Sequence, residues 1–203
     1  MQPELLQKNR RSIRLQDYDY TQPGLYFITI CTYERECIFG SIINEEMTLT
    51  DAGQIALDTW NEIPQHFQNV ETDAFIIMPN HIHGIIAILD NPVRATHASP
   101  SEHASPHPSG PKPRSIGAII GSYKSAVSKR IHSLDAIHDD FVRATHASPI
   151  EHASPPKQSS PIWHRNYYEH IIRSEPDLDR IREYIESNPA NWTLDTENPA
   201  GAK

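Results

Sequence analysis

Apolar positions along the chain fall into short continuous runs and longer helical stripes. Leu25-Tyr26-Phe27-Ile28-Thr29-Ile30-Cys31-Thr32 is β-branched and aromatic, which predicts a buried strand. Ile42-Ile43-Asn44 and Met47-Thr48-Leu49 predict a small hairpin. Asp51 can cap a helix whose apolar stripe is Ala56, Trp60, Ile63 and Phe67. Ala74 to Met78 and the run that follows, to about Leu89, predict two further strands. Ser115 opens a helix with Ile116, Ile119, Ile120, Tyr123, Val127 and Ile131 on its inner side. Ser174-Glu175-Pro176-Asp177 supplies a cap, an early proline and an acid at the capping-box position, and Pro189 ends that last helix near Asn188. Helices combined with several strands, without regular βαβ alternation, predict an antiparallel α+β sandwich.

A repeat interrupts this pattern. Val93 to Pro106 recurs at Val142 to Pro155, with Ile150 in place of Ser101 as the single change. The two copies flank an ordinary helical segment, unlike a solenoid, and their Ala/Ser/Pro/His composition offers no apolar face. A single domain over 1–203 is expected, interrupted by disordered inserts at about 91–113 and 139–160. His97, His103, His107, His146 and His152 fall in these tracts, where nothing orients their rings for a metal.

The net charge of −8 argues against a generic basic nucleic-acid binder. Basic residues nevertheless cluster locally: Lys8, Arg10, Arg11 and Arg14; Lys112, Arg114, Lys124, Lys129 and Arg130; Arg165, Arg173, Arg180 and Arg182. A modest basic groove on an acidic body suits short substrates. Cys31 and Cys37 are the only cysteines, too few for a zinc knuckle or disulfide framework. No stretch approaches the roughly 20 apolar residues that span a bilayer, and the polar start is unlike a signal peptide. A cytoplasmic protein that contacts no membrane is expected.

Two elements carry candidate chemistry. His81 and His83 alternate with Ile82 in an extended run, so both imidazoles face one side, roughly 7 Å apart at Cα, with Ile82 turned into the core. Such a pair can hold one divalent cation, or can be two polar surface residues. On the last helix, Leu178, Ile181 and Ile185 form the apolar stripe, and Arg180, Tyr184 and Asn188 form a ridge beside it. A tyrosine hydroxyl, with a pKa near 10, attacks a phosphodiester only if the phosphorus is made electrophilic or its own proton is removed. A cation on the histidine pair can polarise the phosphate, with Asn188 as a candidate third, oxygen ligand. Nitrogen donors favour Mn²⁺ over Mg²⁺ in such a set.

Several segments together resemble the single-tyrosine transposases of the His-hydrophobic-His (HUH) type, especially the REP-associated tyrosine transposases. They are Arg11-Ser12-Ile13-Arg14-Leu15 with Tyr18-Asp19-Tyr20; Pro23-Gly24-Leu25-Tyr26-Phe27-Ile28-Thr29-Ile30-Cys31-Thr32; and Met78-Pro79-Asn80-His81-Ile82-His83-Gly84. Trp163-His164-Arg165-Asn166-Tyr167-Tyr168-Glu169-His170-Ile171-Ile172-Arg173 and Ile181-Arg182-Glu183-Tyr184-Ile185-Glu186-Ser187-Asn188-Pro189 complete the set. The resemblance implies a ferredoxin-like (RRM-like) α+β sandwich with helices on one face of an antiparallel sheet and the catalytic tyrosine on a C-terminal helix. It implies cleavage of single-stranded DNA beside a hairpin, dependent on Mg²⁺ or Mn²⁺, through a 5′-phosphotyrosine. By position, His81 and His83 are then metal ligands, Tyr184 the nucleophile, and Asn188 stands where relatives place a glutamine or asparagine ligand.

Within that reading Arg173 and Arg180 hold flanking phosphates, with Arg165 also on the DNA side. Lys8, Arg10, Arg11 and Arg14 touch the hairpin stem, and Lys124 and Lys129 are further contacts. Tyr167, Tyr168 and His170 line the site or stack on unpaired bases, or form a packed turn before the last helix. Relatives of this kind often exchange catalytic helices within a homodimer, while others act alone, so both assemblies stay open. The rival readings are a replication or conjugative nickase, which shares the histidine pair, and a domesticated hairpin-binding regulator without strand transfer.

Overall fold

Strand alternation splits the apolar residues into two cores, one on each face of a four-stranded sheet. The computed structural model describes residues 18–90, 112–145 (backbone alone from 138) and 160–200. The sheet is formed by β1 (Gly24–Cys31), β4 (Val70–Met78), β5 (His81–Ile88) and β6 (Tyr168–Ile172) in the order β4-β5-β1-β6, every neighbouring pair antiparallel. The intervening β2 (Gly40–Ile43) and β3 (Glu46–Leu49) pair separately as the expected hairpin. With α1 (Asp51–Asn61), α2 (Ile63–His66), α3 (Ile116–Thr145) and α4 (Glu175–Ser187), the sheet strands follow the ferredoxin-like β-α-β-β-α-β order. Among the described residues no helix is long and apolar enough to cross a membrane.

On one face Tyr26, Ile28, Ile30, Ile77, Ile82 and Ile86 pack against Ala56 and Trp60 of α1 and against Ile116, Ile119, Ile120, Tyr123, Val127 and Ile131 of α3. The inner stripe of α3 is the one its sequence predicts. Tyr123 donates through its hydroxyl to the Ala56 carbonyl at 3.0 Å, fixing the two helices at the level of the core. The other face carries a smaller core of Phe27, Ile85, Ile172, Leu178, Ile181 and Ile185.

That second core corrects the expectation of helices on one face. The stripe of α4 covers the side opposite α1 and α3, because Phe27, Ile85 and Ile172 present apolar side chains there that water would otherwise meet. The helix is also tied at both edges of the sheet. Arg182 donates to Asp73 at 2.6 and 3.1 Å on the β4 side, and the His170–Asp177 hydrogen bond, 3.0 Å, closes the β6 side.

Three local expectations change too. The cap of α1 is Thr50, whose side chain accepts from the Gly53 amide, rather than Asp51. The stripe from Ala56 to Phe67 does not run on one helix: Pro64 has no N–H for the Trp60 carbonyl, so α1 stops at Asn61, α2 is a separate turn, and Phe67 is its extended cap. The backbone of α3 continues to Thr145, so residues 139–145 of the second expected insert are helical. The remaining repeat residues with their histidines, and Lys8, Arg10, Arg11 and Arg14, lie outside the described residues. Of Tyr167, Tyr168 and His170, read from the sequence as site lining or a packed turn, the last two lie on the edge strand β6 and Tyr167 just precedes it.

Gly84 is set by close packing. A Cβ there would lie 2.4 Å from the indole of Trp60, which stacks on Phe75 at 4.5 Å between ring centroids and is 1% exposed. Gly84→Ala is therefore expected to cost about 1–3 kcal/mol through overpacking, directly beside His83. Urea unfolding measures it, and an unchanged midpoint contradicts this account of the glycine.

Candidate metal centre

His81 and His83 stand on the α4 face of β5, opposite Cys31 and Thr29 of β1 and opposite Met78 and Ile76 of β4. Both are central-strand residues covered by α4 and by the segment after it, and they are 0% and 2% exposed. Their ring centroids are 4.5 Å apart, and Ile82 faces the opposite core as expected.

Hydrogen bonds at the outer nitrogens fix how the rings point. Asn80 donates its amide to the carbonyls of Arg35 at 3.1 Å and Glu197 at 2.7 Å, which orients its Oδ1 toward His81 Nδ1, 2.9 Å away. An amide oxygen only accepts, so Nδ1 of His81 carries the proton and Nε2 presents a lone pair. His83 Nδ1 lies 2.9 Å from Thr29 Oγ1, and its Nε2 lies 3.2 Å from the Tyr184 hydroxyl. Both Nε2 atoms thus converge on one space beneath α4.

A carboxylate enters the same space. His81 Nε2 has no hydrogen-bond partner among the described residues and faces Asp195 Oδ2 at 3.8 Å. His81, His83 and Asp195 offer ligand atoms that all lie within 4.8 Å of one another, so the group could hold a metal ion. Two lone-pair-bearing atoms facing each other in a buried setting repel unless a positive charge lies between them. A proton on His81 is disfavoured, because burial, then His83 and Arg35, hold its pKa well below the usual histidine range. Asn188 is 2% exposed, and its Oδ1 is likewise without a hydrogen-bond partner. Two neutral imidazoles, a carboxylate and an amide oxygen fit a divalent cation.

Asp195 carries no recognisable signal in the sequence. It follows the 3-10 turn Trp192–Leu194, and its Oδ1 accepts from the Glu197 amide at 2.7 Å in a tight local turn that frees Oδ2. A turn is readable from Asp-Thr-Glu-Asn-Pro at 195–199; its docking on His81, across more than a hundred residues of chain, is not.

Tyr184 packs its ring edge-on to Phe27 and at 5.1 Å from His83. Burial, then the negative charge of Asp195, pushes its hydroxyl well above the usual tyrosine range. The phenol is therefore protonated at neutral pH and a weak nucleophile without help.

The remaining expected site residues divide. Tyr168 and His170 share the site's face of β6; His170 is bonded to Asp177 and Tyr168 packs on the α4 core. Tyr167 points to the opposite core. Arg165 and Arg173 are exposed, and the half-exposed Arg180 pairs with Asp177. Lys124 turns inward: its ammonium donates to the carbonyls of His164 and Arg165 at 2.7 and 3.3 Å, and burial lowers its pKa to about 8.

The chain thus presents a four-stranded antiparallel sheet with helices on both faces and a buried His-X-His under its last helix. The solved structure of a REP-associated tyrosine transposase bound to a REP hairpin shares this fold, with a TM-score of 0.50 at 15% identity, over 90% of this chain and 76% of that one. No family model matches the chain. The chain belongs to one family with an uncharacterized protein of Haemophilus influenzae, 38% identical over 187 residues that cover 92% of each.

Burial of the rings predicts a pH effect on the metal-free protein. Burial lowers the pKa of His83 to about 3 from an ordinary 6.5, so below pH 6.5 the unfolded chain binds protons that the native ring refuses. Stability is then complete above about pH 6.5 and falls by about 1.4 kcal/mol per pH unit per buried imidazole on acidification. Asp195, whose pKa is raised by burial, acts in the opposite sense at lower pH. In chelator, unfolding free energies between about pH 6.5 and 5 should fall less steeply for His83→Gln than for the parent. Parallel slopes contradict the neutral, buried imidazole.

Proposed function

We propose that the chain is a metal-dependent DNA strand transferase that cleaves and rejoins single-stranded or hairpin DNA through a 5′-phosphotyrosine on Tyr184. The observation that carries this reading is the convergence of the Tyr184 hydroxyl with the Nε2 atoms of His81 and His83 and the carboxylate of Asp195. His81, His83 and Asn188 would hold the divalent ion, with Asp195 as a carboxylate donor. When bound, that ion supplies positive charge to a non-bridging phosphate oxygen.

The protein's own contribution is positioning. The Arg182–Asp73 and His170–Asp177 ties fix α4 across the sheet, so Tyr184 is delivered from a rigid element. Thr29 and Asn80 hold the imidazoles with Nε2 forward. In the step itself the phenol loses its proton and its oxygen bonds to phosphorus. The bond from phosphorus to the 3′ oxygen breaks, and that oxygen takes up a proton. The phosphotyrosine conserves the ester linkage, so a later 3′ hydroxyl can reverse or redirect the cut, which is strand transfer rather than hydrolysis.

Arg165 and Arg173, both exposed, are candidate phosphate contacts, as is Arg180, half-exposed on α4 and paired with Asp177. Tyr168 and His170, on the site's side of the sheet edge, lie where unpaired bases could stack. The Lys124 ammonium serves the His164–Arg165 turn instead, so its replacement acts on that turn's position. Mn²⁺ suits the two nitrogen donors better than Mg²⁺.

With labelled hairpin-bearing single strands and Mn²⁺, the protein is expected to form a protein–DNA adduct that survives denaturation. Tyr184→Phe should abolish the adduct and retain hairpin binding, while Tyr167→Phe and Tyr168→Phe should still form it. An adduct that persists in Tyr184→Phe contradicts the assignment, and hairpin binding without any adduct supports the regulatory reading.

A further inference from the structure

The segment that brings Asp195 to the histidines has little hydrophobic hold on the molecule. Leu194 is 69% exposed, and Trp192, half-buried, meets His81 only at 6.0 Å between ring centroids. Polar ties hold it instead: Asn80 and Cys31 each reach Glu197, and one side chain, Arg35, supplies two. Arg35 donates through Nη1 to the Thr196 carbonyl at 2.7 Å and through Nη2 reaches the Glu197 carboxylate at 2.9 Å. Both contacts lie immediately after Asp195.

Arg35 is itself held firmly. Glu34 and Arg35 are both left-handed, with φ of 50° and 60°, a conformation that non-glycine residues adopt only where surroundings enforce it. The enforcement comes from Asn80, which donates to the Arg35 carbonyl at 3.1 Å, and from Thr32, whose amide and hydroxyl both donate to the Asn80 carbonyl. Asn80 also donates to the Glu197 carbonyl and accepts from His81. The loop, the C-terminal segment and the first histidine are thus linked through one buried amide.

We propose that Arg35 is a positioning residue for the metal centre, tying residues 195–197 down so that Asp195 serves as a ligand beside His81 and His83. The proposal rests on the metal reading of the histidine pair. Its consequence is that cation affinity depends on a surface loop more than forty residues upstream of the histidine motif. A guanidinium suits the task because its fork bonds a carbonyl and a carboxylate at once.

A double-mutant cycle on Mn²⁺ affinity, measured by titration calorimetry on the full chain without DNA, tests this. Arg35→Ala and Asp195→Ala should each weaken binding by about tenfold or more, the range typical of residues that orient metal ligands. Because Arg35 acts through Asp195, the double variant should bind no more weakly than Asp195→Ala alone. Arg35→Lys, which keeps the charge and loses the fork, should recover part of the loss. Wild-type affinity in Arg35→Ala, or losses that multiply in the double variant, overturns the proposal. His83→Ala separates the two levels: if it too binds Mn²⁺ like the parent, the metal reading of the histidine pair fails. If it loses binding while Arg35→Ala does not, the positioning role fails alone. Circular dichroism checks folding, and should Arg35→Ala not fold, Glu197→Gln removes the same ion pair and carries the same expectation.

Discussion

The side-chain alternation of β5 is the constraint on which the rest depends. His81 and His83 can share a face only if Ile82 and Gly84 share the other, and each of those positions is occupied accordingly: Ile82 in the larger core, Gly84 against the Trp60 indole. A one-residue slip would send both imidazoles into the aliphatic layer beneath α1 and α3. The larger core therefore holds the register of the candidate centre as well as the fold's stability. The smaller core on the opposite face places α4, and with it Tyr184 and Asn188, above the same two rings.

Desolvation then sets the chemistry. Burial keeps the imidazoles neutral and the phenol protonated, and it raises the pKa of Asp195. Every one of these shifts disfavours charge, so the unliganded arrangement has electron pairs facing one another with little to offset them. A divalent cation held there would relieve that frustration. The outer-face bonds of Asn80 and Thr29 orient both rings, and the Asn80 oxygen, which only accepts, leaves the inner nitrogen of His81 without a proton of its own.

How much of this was legible in the sequence follows from the range of each interaction. The alternation around His81 and His83 and the capped helix carrying Tyr184 and Asn188 are local patterns, and they stand where their periodicity puts them. The inner stripe of α3 was equally plain. Which face α4 covers was not, because a stripe of Leu178, Ile181 and Ile185 specifies that the helix buries a side but not against which layer. Similarly, Pro64 interrupts a stripe that still looks continuous by spacing alone. Lys124 illustrates the limit for charges: from the sequence it is a cation available to DNA, and only the Trp163 turn, packed against α3, gives its ammonium two carbonyls. Asp195 and Arg35 escape entirely, since nothing local distinguishes a turn aspartate or a loop arginine until the loop after β1 meets the segment after α4.

The most direct test of the central claim is anomalous scattering from crystals grown with Mn²⁺. One strong peak bounded by the Nε2 atoms of His81 and His83 and by Asp195, with Asn188 adjacent, is the result the account predicts. A peak elsewhere, or no peak while both Nε2 atoms still face the Asp195 carboxylate, would contradict it.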